Sequence, residues 1–369
     1  MPYIRNLFVI GLFLFTKTGI ASNVDVMTQN QYLGADLAPV IAAAISGDLG
    51  ALNSAVITAL EQVSDNKTVE RMEAQADLMS KRLPHFIGLQ ETYEFICSDP
   101  YNTGACEDPR IAGAFNNFLD LTLASLDGNY MEAATVVNFN ATVPFDLYGT
   151  TIPAFVTVID RDVILSRYDI TALPVDFGCD AFYASVDGCN YMAALPPIMT
   201  PFGVIAVVRG YVGVDATIGD TDYRIVNTHL EVKDPPVPPV IQNGQALELM
   251  GVLAVTTPAD TSLIVLGDMN SSPDEPLPSP YAQFIATGYT DAWTLRPGDV
   301  PGFTCCQSDN LSNNESELDD RIDMVFSRDV PVEAKKVRVL GDKVSSRTHP
   351  PGKGLWPSDH GAVATDLRF

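Results

Sequence analysis

The chain has 369 residues, 46% of them hydrophobic and 18% charged, with 22 Lys and Arg against 46 Asp and Glu. This composition excludes a disordered polypeptide, and the length suits one large α/β domain or two average ones. The acidic balance argues against a polyanionic partner, because nucleic-acid affinity comes largely from basic groups displacing counterions, although a local basic patch is compatible with it.

The chain begins MPYIRNLFVIGLFLFTKTGIASN: Arg5, an apolar stretch from Leu7 to Phe15 too short to span a bilayer, then small residues at Gly19 to Ala21. That three-part pattern predicts a secretory signal over residues 1–21 and a secreted or periplasmic chain over 22–369, with a retained anchor as the competing reading.

Next, Val24, Val26 and Thr28 alternate before polar residues and a glycine, as in a strand ending in a loop. Helices are predicted in LAPVIAAAIS, LGALNSAVITALEQV and TVERMEAQADLMSKRL. In the third, Val69, Met72, Ala76, Met79 and Leu83 form an apolar face, Thr68 stands where an N-cap belongs, and Lys81 and Arg82 suit the C-terminus. Pro84 stops that helix, and HFIGLQE reads as a short buried strand. A second helical region, Ile111 to Leu126, leads into the strands AFVTVIDRDVILSR, GVIAVVRGYVGVDAT and YRIVNTHLEV. KDPPVPPV cannot be a central strand; after it come a helix, IQNGQALELMGVLAVT, and the strands LIVLG, RIDMVFSR and EAKKVRVLG. No repeat or compositional break divides the chain, so one large α/β domain is expected.

The six cysteines fit an oxidising compartment. Cys97 and Cys106 bracket one turn-rich loop and Cys179 and Cys189 another, so each pair reads as a local staple. Cys305-Cys306 is either a vicinal disulfide or two buried thiols, and no cysteine has zinc-ligand spacing with a nearby histidine.

Polar residues stand where apolar runs end. Asn30 ends VDVMTQN, Glu91 ends FIGLQE, His229 ends RIVNTHL, and Asp268 and Asn270 follow LIVLG. Asp323 lies within DRIDMVF, and Asp359 and His360 precede GAVATDL. In layered α/β proteins, functional groups gather where strands run out into loops. Singly, each has an ordinary explanation: a turn-forming Asp or Asn, a surface Glu, an Asp323–Arg321 pair, a core histidine. Their joint occurrence in one order carries the functional reading.

That set resembles the endonuclease/exonuclease/phosphatase superfamily, which includes DNase I-like nucleases, neutral sphingomyelinases and inositol-phosphate phosphatases. The matching motifs are MTQN, IGLQE, VNTHLE, VLGDMNSSPDE, DRIDMVF and WPSDHGAV. The resemblance implies an α/β fold, a four-layer α/β/β/α sandwich of two packed mixed sheets, with the site at one edge of the sheets. It implies hydrolysis of a phosphodiester by in-line attack of an activated water. Asp268 would orient or deprotonate the water, and Asn270 would donate to a phosphate oxygen, since a carboxylate alone repels phosphate. Glu91, helped by Asn30, would hold a hard divalent cation, Mg²⁺ or Mn²⁺ in its place. His229 and His360 would flank the phosphate, Asp323 would set the tautomer of one of them, and Asp359 would support the metal or the water.

The substrate is less fixed: nucleic acid, phospholipid or a small phosphoester. LDDRIDMVF lacks the WCDRI phrase of inositol 5-phosphatases, and NTHL carries histidine where DNA-damage nucleases carry tyrosine, which favours DNase I-like or sphingomyelinase-like members. Arg167 and Arg209 are candidate phosphate contacts, with strand-end salt bridges as the plainer reading. Two segments look like additions to a minimal fold, Cys97 to Asn140 and residues 178–203. The second is rich in aromatic and aliphatic residues and reads as an apolar lip for a membrane surface or, more simply, as a loop with its own small core. Nothing points to an obligate protein partner. A non-catalytic binding protein on the same scaffold is the reading outside the enzyme class, disfavoured because no motif residue is missing.

Overall fold

The computed structural model describes residues 23–200, 203–233, 237–331, 333–349 and 354–369. The signal-like segment, Phe202 and the prolines at 235 and 236 lie outside the described residues. The chain runs β1 (Asn23–Asn30), α1 (Ala38–Ser46), α2 (Leu49–Asp65), α3 (Thr68–Arg82), β2 (Phe86–Gln90), β3 (Glu94–Ser98) and α4 (Phe118–Ser125). Then come β4 (Tyr130–Phe145), β5 (Ala154–Arg167), β6 (Ala172–Pro174), β7 (Ala184–Ser185), β8 (Gly188–Asn190), β9 (Ile198–Thr200) and β10 (Gly203–Ile205). It continues through β11 (Gly210–Ile218), β12 (Thr221–His229), α5 (Pro239–Thr256), β13 (Ser262–Asp268), α6 (Pro280–Ala286) and β14 (Thr290–Asp291). The last elements are β15 (Asp323–Ser327), β16 (Glu333–Leu340) and β17 (Ala362–Arg368).

Sheet I has the order β16-β17-β1-β2-β5-β3 with β4 also on β5, and sheet II the order β14-β15-β13-β12-β11-β8-β7 with β6 also on β11. Both are mixed: β1 and β2 run parallel, as do β12 and β13, among antiparallel neighbours. Strand alternation sorts the side chains. Val26, Phe86 and Ile164 of sheet I meet Val214, Ile225 and Ile264 of sheet II, while Met27, Ile87 and Leu165 turn outward under α3 and α4. On the other side, α5 and α6 cover Val226, Val265 and Phe326 of sheet II. The result is the expected four layers, with each fully buried aliphatic side chain contributing about 1.5–3 kcal/mol.

Near one end the contact between the sheets turns polar. Asn227 donates to Leu89 O (2.8 Å) and Val163 O (3.0 Å) of sheet I, and Gln90 donates to Asn227 Oδ1 (2.6 Å). Glycine is required at Gly88, because a Cβ there would collide with Leu266 and Asn227. The site lies at this end.

Several sequence expectations shift in detail. Thr68 is the first residue of α3 rather than its cap; Lys67, with φ 49°, makes the turn and no side chain caps the helix. The buried face of α3 is Arg71, Met72, Gln75, Ala76 and Met79, while Val69 and Leu83 are exposed. The 111–126 region is a 3-10 turn, Ala112–Ala114, followed by α4, which Asn117 caps. The expected strand over 203–217 breaks into β10 and β11, and Arg209 stands at the break. Cys97–Cys106 and Cys179–Cys189 are disulfides as read, and Cys305 is joined to Cys306, so the free-thiol option falls.

Candidate active site

Strand register assembles the site. β1 and β2 pair Asn30 with Gln90, one residue before Glu91; β12 and β13 pair His229 with Asp268; β13 and β15 pair Asp268 with Asp323. Five predicted residues therefore arrive at the ends of five strands, β1 and β2 of sheet I and β12, β13 and β15 of sheet II. Asp359 and His360 enter on the loop before β17, which lies beside β1. All eight predicted residues belong to this one cleft.

Two turns tighten it. At Gly267, φ is 147° and a Cβ would collide with the Thr228 backbone, so β13 can lie this close to β12 only with glycine there. Glu91 (φ 54°) and Asn270 (φ 47°) are non-glycine residues in the left-handed region, a conformation that costs energy and clusters at functional positions.

The Asn30 amide joins the two sheets. Its Nδ2 donates to Glu91 Oε1 (3.1 Å) and to Asp268 Oδ2 (3.1 Å), while its Oδ1 accepts from Tyr32 N (3.0 Å). Leu33 N holds the other Glu91 oxygen at 2.9 Å. Asp268 Oδ1 accepts from Asn270 N (2.9 Å), fixing the turn after β13. Asn270 Nδ2 donates to Leu230 O at 2.9 Å.

The two histidines differ in charge. Arg209 Nη1 contacts His229 Nδ1 at 3.0 Å and can only donate, so that nitrogen accepts and the ring proton sits on Nε2. Burial, Arg209 and His360 hold His229 well below the ordinary histidine range, keeping it neutral. For His360, burial opposes the charge, but Asp323, Asp359 and Asp268 outweigh it and hold the ring well above that range. His360 Nδ1 donates to Asp323 Oδ2 at 2.8 Å, leaving Nε2 facing Asp268 Oδ2 at 3.8 Å. Arg321, the other candidate partner of Asp323, pairs with Asp291 at 2.8 Å instead.

His229 Nε2 and Asn270 Nδ2 lie 3.1 Å apart, and with the proton on Nε2 both are donors. The nearest anionic oxygen to that Nε2, Asp268 Oδ2, is 3.5 Å away, at the outer limit of a hydrogen bond. Two donors that cannot satisfy each other form a subsite suited to an anionic oxygen.

Carboxylates crowd the opposite wall. Burial, then the Asp323 charge, pushes Asp268 up to about 7. Burial, with Glu91 adding to it, pushes Asp359 up to about 7 as well. Asp323 Oδ1 is buried without a hydrogen-bond partner, and ligand atoms of Asp268, Asp323 and His360 lie within 4.8 Å of one another. An excess of hard oxygen donors with too little positive charge is the chemistry of a divalent-cation site; the oxygens grouped here are those of Asp268 and Asp323, and Glu91 and Asp359 add their charges beside them.

Beyond the eight, two candidate arginines find their places and three residues not singled out before, Asp160, Asp162 and Arg71, border the site. Arg209 pairs with Glu231 (3.2 Å), as the salt-bridge reading expected, and also contacts His229 Nδ1 (3.0 Å). Arg167 follows the plainer reading: it pairs with Asp169 at the end of β5 that lies beside Phe86, away from the Gln90 end of β2 that leads to Glu91. Asp160 and Asp162 are buried on β5 facing Arg209; burial raises both, Asp160 to about 7. Their only signal was an Asp-x-Asp alternation inside an otherwise apolar strand. Arg71, fully buried on α3, donates to Gln31 O, Tyr32 O, Asn66 O and Pro357 O and so ties down the loops carrying Asn30 and Asp359.

The family model described as the Endonuclease/Exonuclease/phosphatase family matches residues 52–360. No curated protein matches the sequence. Among solved structures, the chain is similar to an endonuclease/exonuclease/phosphatase family protein from Leptotrichia buccalis C-1013-b, with 13% identity and a TM-score of 0.53 over 94% of this chain and 100% of that one. It is similar to a protein described by the same family name from Bacteroides thetaiotaomicron, with 13% identity and a TM-score of 0.53 over 95% and 98%. It is also similar to a mannosyl-6-phosphatase of Bacteroides thetaiotaomicron VPI-5482, with 14% identity and a TM-score of 0.52 over 94% and 100%. At these identities the likeness is one of fold.

Proposed function

The chain belongs to the endonuclease/exonuclease/phosphatase family, and from that premise we propose that it is an exported, divalent-metal-dependent phosphodiesterase. The observation that carries the reading is the donor pair of His229 and Asn270 beside the Asp268 carboxylate. Together they offer a place for a phosphate oxygen next to a base.

In this reading the phosphate seats its oxygens on His229 Nε2–H, Asn270 Nδ2–H and the protonated His360. Asp268, raised to about 7, is matched to take a proton near neutral pH. Water attacks phosphorus in line; its proton passes to Asp268, the new P–O bond forms as the ester P–O bond breaks, and the leaving alcohol takes a proton from solvent. Asp323 fixes the His360 ring. Glu91, held by Asn30 and assisted by Asp359, would hold Mg²⁺ or Mn²⁺. Bound there, the ion supplies neutralisation of the charge that builds on the phosphate. Export is supported by the local disulfides and by the signal-like sequence of residues 1–21. No helix among the described residues is long and apolar enough to cross a membrane.

The test is hydrolysis of bis-p-nitrophenyl phosphate with Mg²⁺, run beside plasmid nicking and sphingomyelin cleavage. EDTA should abolish turnover, and Asp268→Asn should lower kcat roughly 100- to 10,000-fold with the fold intact by circular dichroism. Full activity in EDTA, or in Asp268→Asn, would overturn the proposal.

A further inference from the structure

Beside the catalytic cleft, a groove of about 260 Å³ runs between α1–α2 and sheet I. Its walls include Val56 and Leu60 of α2, Phe95 of β3, Val143 of β4 and Val158 of β5, and the β9–β10 hairpin contributes Ile198 and Ile205. Glu91, Asp160 and Arg209 are the charged residues of the lining, and every other lining residue is aliphatic or aromatic.

Two of those charged residues, Glu91 and Arg209, also border the catalytic cleft. Glu91 is held by Asn30, and Arg209 contacts His229 Nδ1 at 3.0 Å. An apolar channel thus ends one residue from a catalytic histidine. Protein interiors normally close such space by packing, and an apolar cavity of about 150 Å³ is enough to stay dry and take up benzene. Around the groove, Ile45 of α1 and Met199 and Val204 of the hairpin are exposed, which makes its rim apolar as well.

We propose that this groove receives the hydrocarbon chain of a lipid phosphodiester whose phosphate sits against His229, Asn270 and Asp268. The inference rests on the phosphodiesterase reading for the headgroup, and on continuity between groove and cleft for the chain. Arg209 is the junction: it fixes His229 on one side and caps the apolar channel on the other, paired with Glu231 so that its charge is met by protein. Neither a nucleotide nor a free sugar phosphate would use walls of this kind.

The experiment measures binding of ethyl, butyl, hexyl, octyl and decyl phosphate to the whole purified protein by calorimetry, below their critical micelle concentrations, with 1-octanol as the chain without a headgroup. Affinity should rise roughly fourfold per methylene and level off once the groove is filled. Octanol should bind far more weakly than octyl phosphate. Ala141→Phe, which places a ring in the groove from half-buried Ala141 of β4, should flatten that dependence. Ala59→Leu, acting from α2 on the facing wall, should do the same, and thermal melts show that each variant is folded. Equal binding of ethyl and octyl phosphate would overturn the groove assignment while leaving the phosphodiesterase reading in place. The same flat result would follow if a protein segment or a second copy occupied the groove, and it would count against the proposal in the same way. Uptake of octanol as tight as octyl phosphate would overturn the link to the phosphate site. Chain-dependent binding with no hydrolysis of any diester would leave the groove standing and sink the catalytic reading.

Discussion

The two outer helical layers treat their sheets differently. On sheet II, α5 and α6 close down with Leu249, Leu253 and Phe284, and Phe284 stacks on Phe326 at a centroid distance of 4.7 Å. On sheet I, α1 and α2 stand off far enough to leave a channel of about 260 Å³. Three of the candidate site residues lie at the tightly covered side: His229, Asp268 and Asp323 are direct partners on the neighbouring strands β12, β13 and β15. Sheet I contributes Asn30 and Glu91, together with the less closely packed wall. The difference separates two tasks. Rigid packing holds reacting atoms to tenths of an ångström, whereas an open wall leaves room to choose what is attached to the phosphate.

Three perturbations would break or sharpen that contrast. The largest effect is expected at Arg71, which fastens the site loops from the sheet I helical layer. Arg71→Met takes the Arg71 donor from Asn66 O and Tyr32 O, while Gln31 O and Pro357 O keep Gln75 Nε2, and should cost about 4 kcal/mol of stability in denaturant unfolding. A loss under 1 kcal/mol would show that the loops are held by other means.

Next, Asp323→Asn should lower kcat roughly 10- to 100-fold. It should also bring the His360 titration, followed by NMR in metal-free protein, down toward the ordinary value of 6.5. The sign follows from linkage. A histidine whose folded pKa is raised adds stability that is complete below its unfolded value and is lost as pH rises through the folded one. The variant should therefore lose stability mainly on the acidic side of neutrality, while wild-type protein keeps it there. An unmoved His360 titration would mean that Asp359 and Asp268, not Asp323, control the ring.

The smallest effect is expected at the far margin. Replacing Cys179 and Cys189 by serine should cost about 2 kcal/mol and change turnover of a small soluble diester by less than roughly twofold. A larger fall in turnover would place the 178–203 segment closer to the reacting atoms than its exposed tip suggests. In that segment Tyr191 is buried and meets Thr228 Oγ1 at 2.7 Å, while Phe182 is 84% exposed, so the segment has a small core of its own and an exposed tip.

Much of the architecture was legible because apolar alternation and its endings are local signals. Each of the eight predicted residues closes an apolar run, follows one or stands just before one, and strand pairing then has little choice but to gather them. Arg71 was illegible for the converse reason. In a helix that also carries Glu70, Glu73 and Lys81, an arginine reads as solvated, and only the fold shows that its side enters a shell of carbonyl oxygens. Asp160 and Asp162 were missed because the alternation that places them together also describes a strand with one wet face. The break at Arg209 could not be read from GVIAVVRGYVGVDAT, since nothing in that apolar run marks where one hairpin stops and a sheet strand begins. The groove is a property of how far two helices stand from a sheet, which no periodicity encodes.

The pairing of β1 with β17 has a consequence for when the protein becomes active. Ser358 Oγ donates to Asn30 O across 328 positions, and Asn30 reaches Asp268 across 238. Contacts of that separation close late, because the loop entropy they must overcome is largest. A chain delivered only as far as β13 carries Asn30 and Asp268 but not Asp359 or His360. On the proposed mechanism the site would be complete only once β17 zips onto β1, and a chain stalled or clipped before that point would be silent.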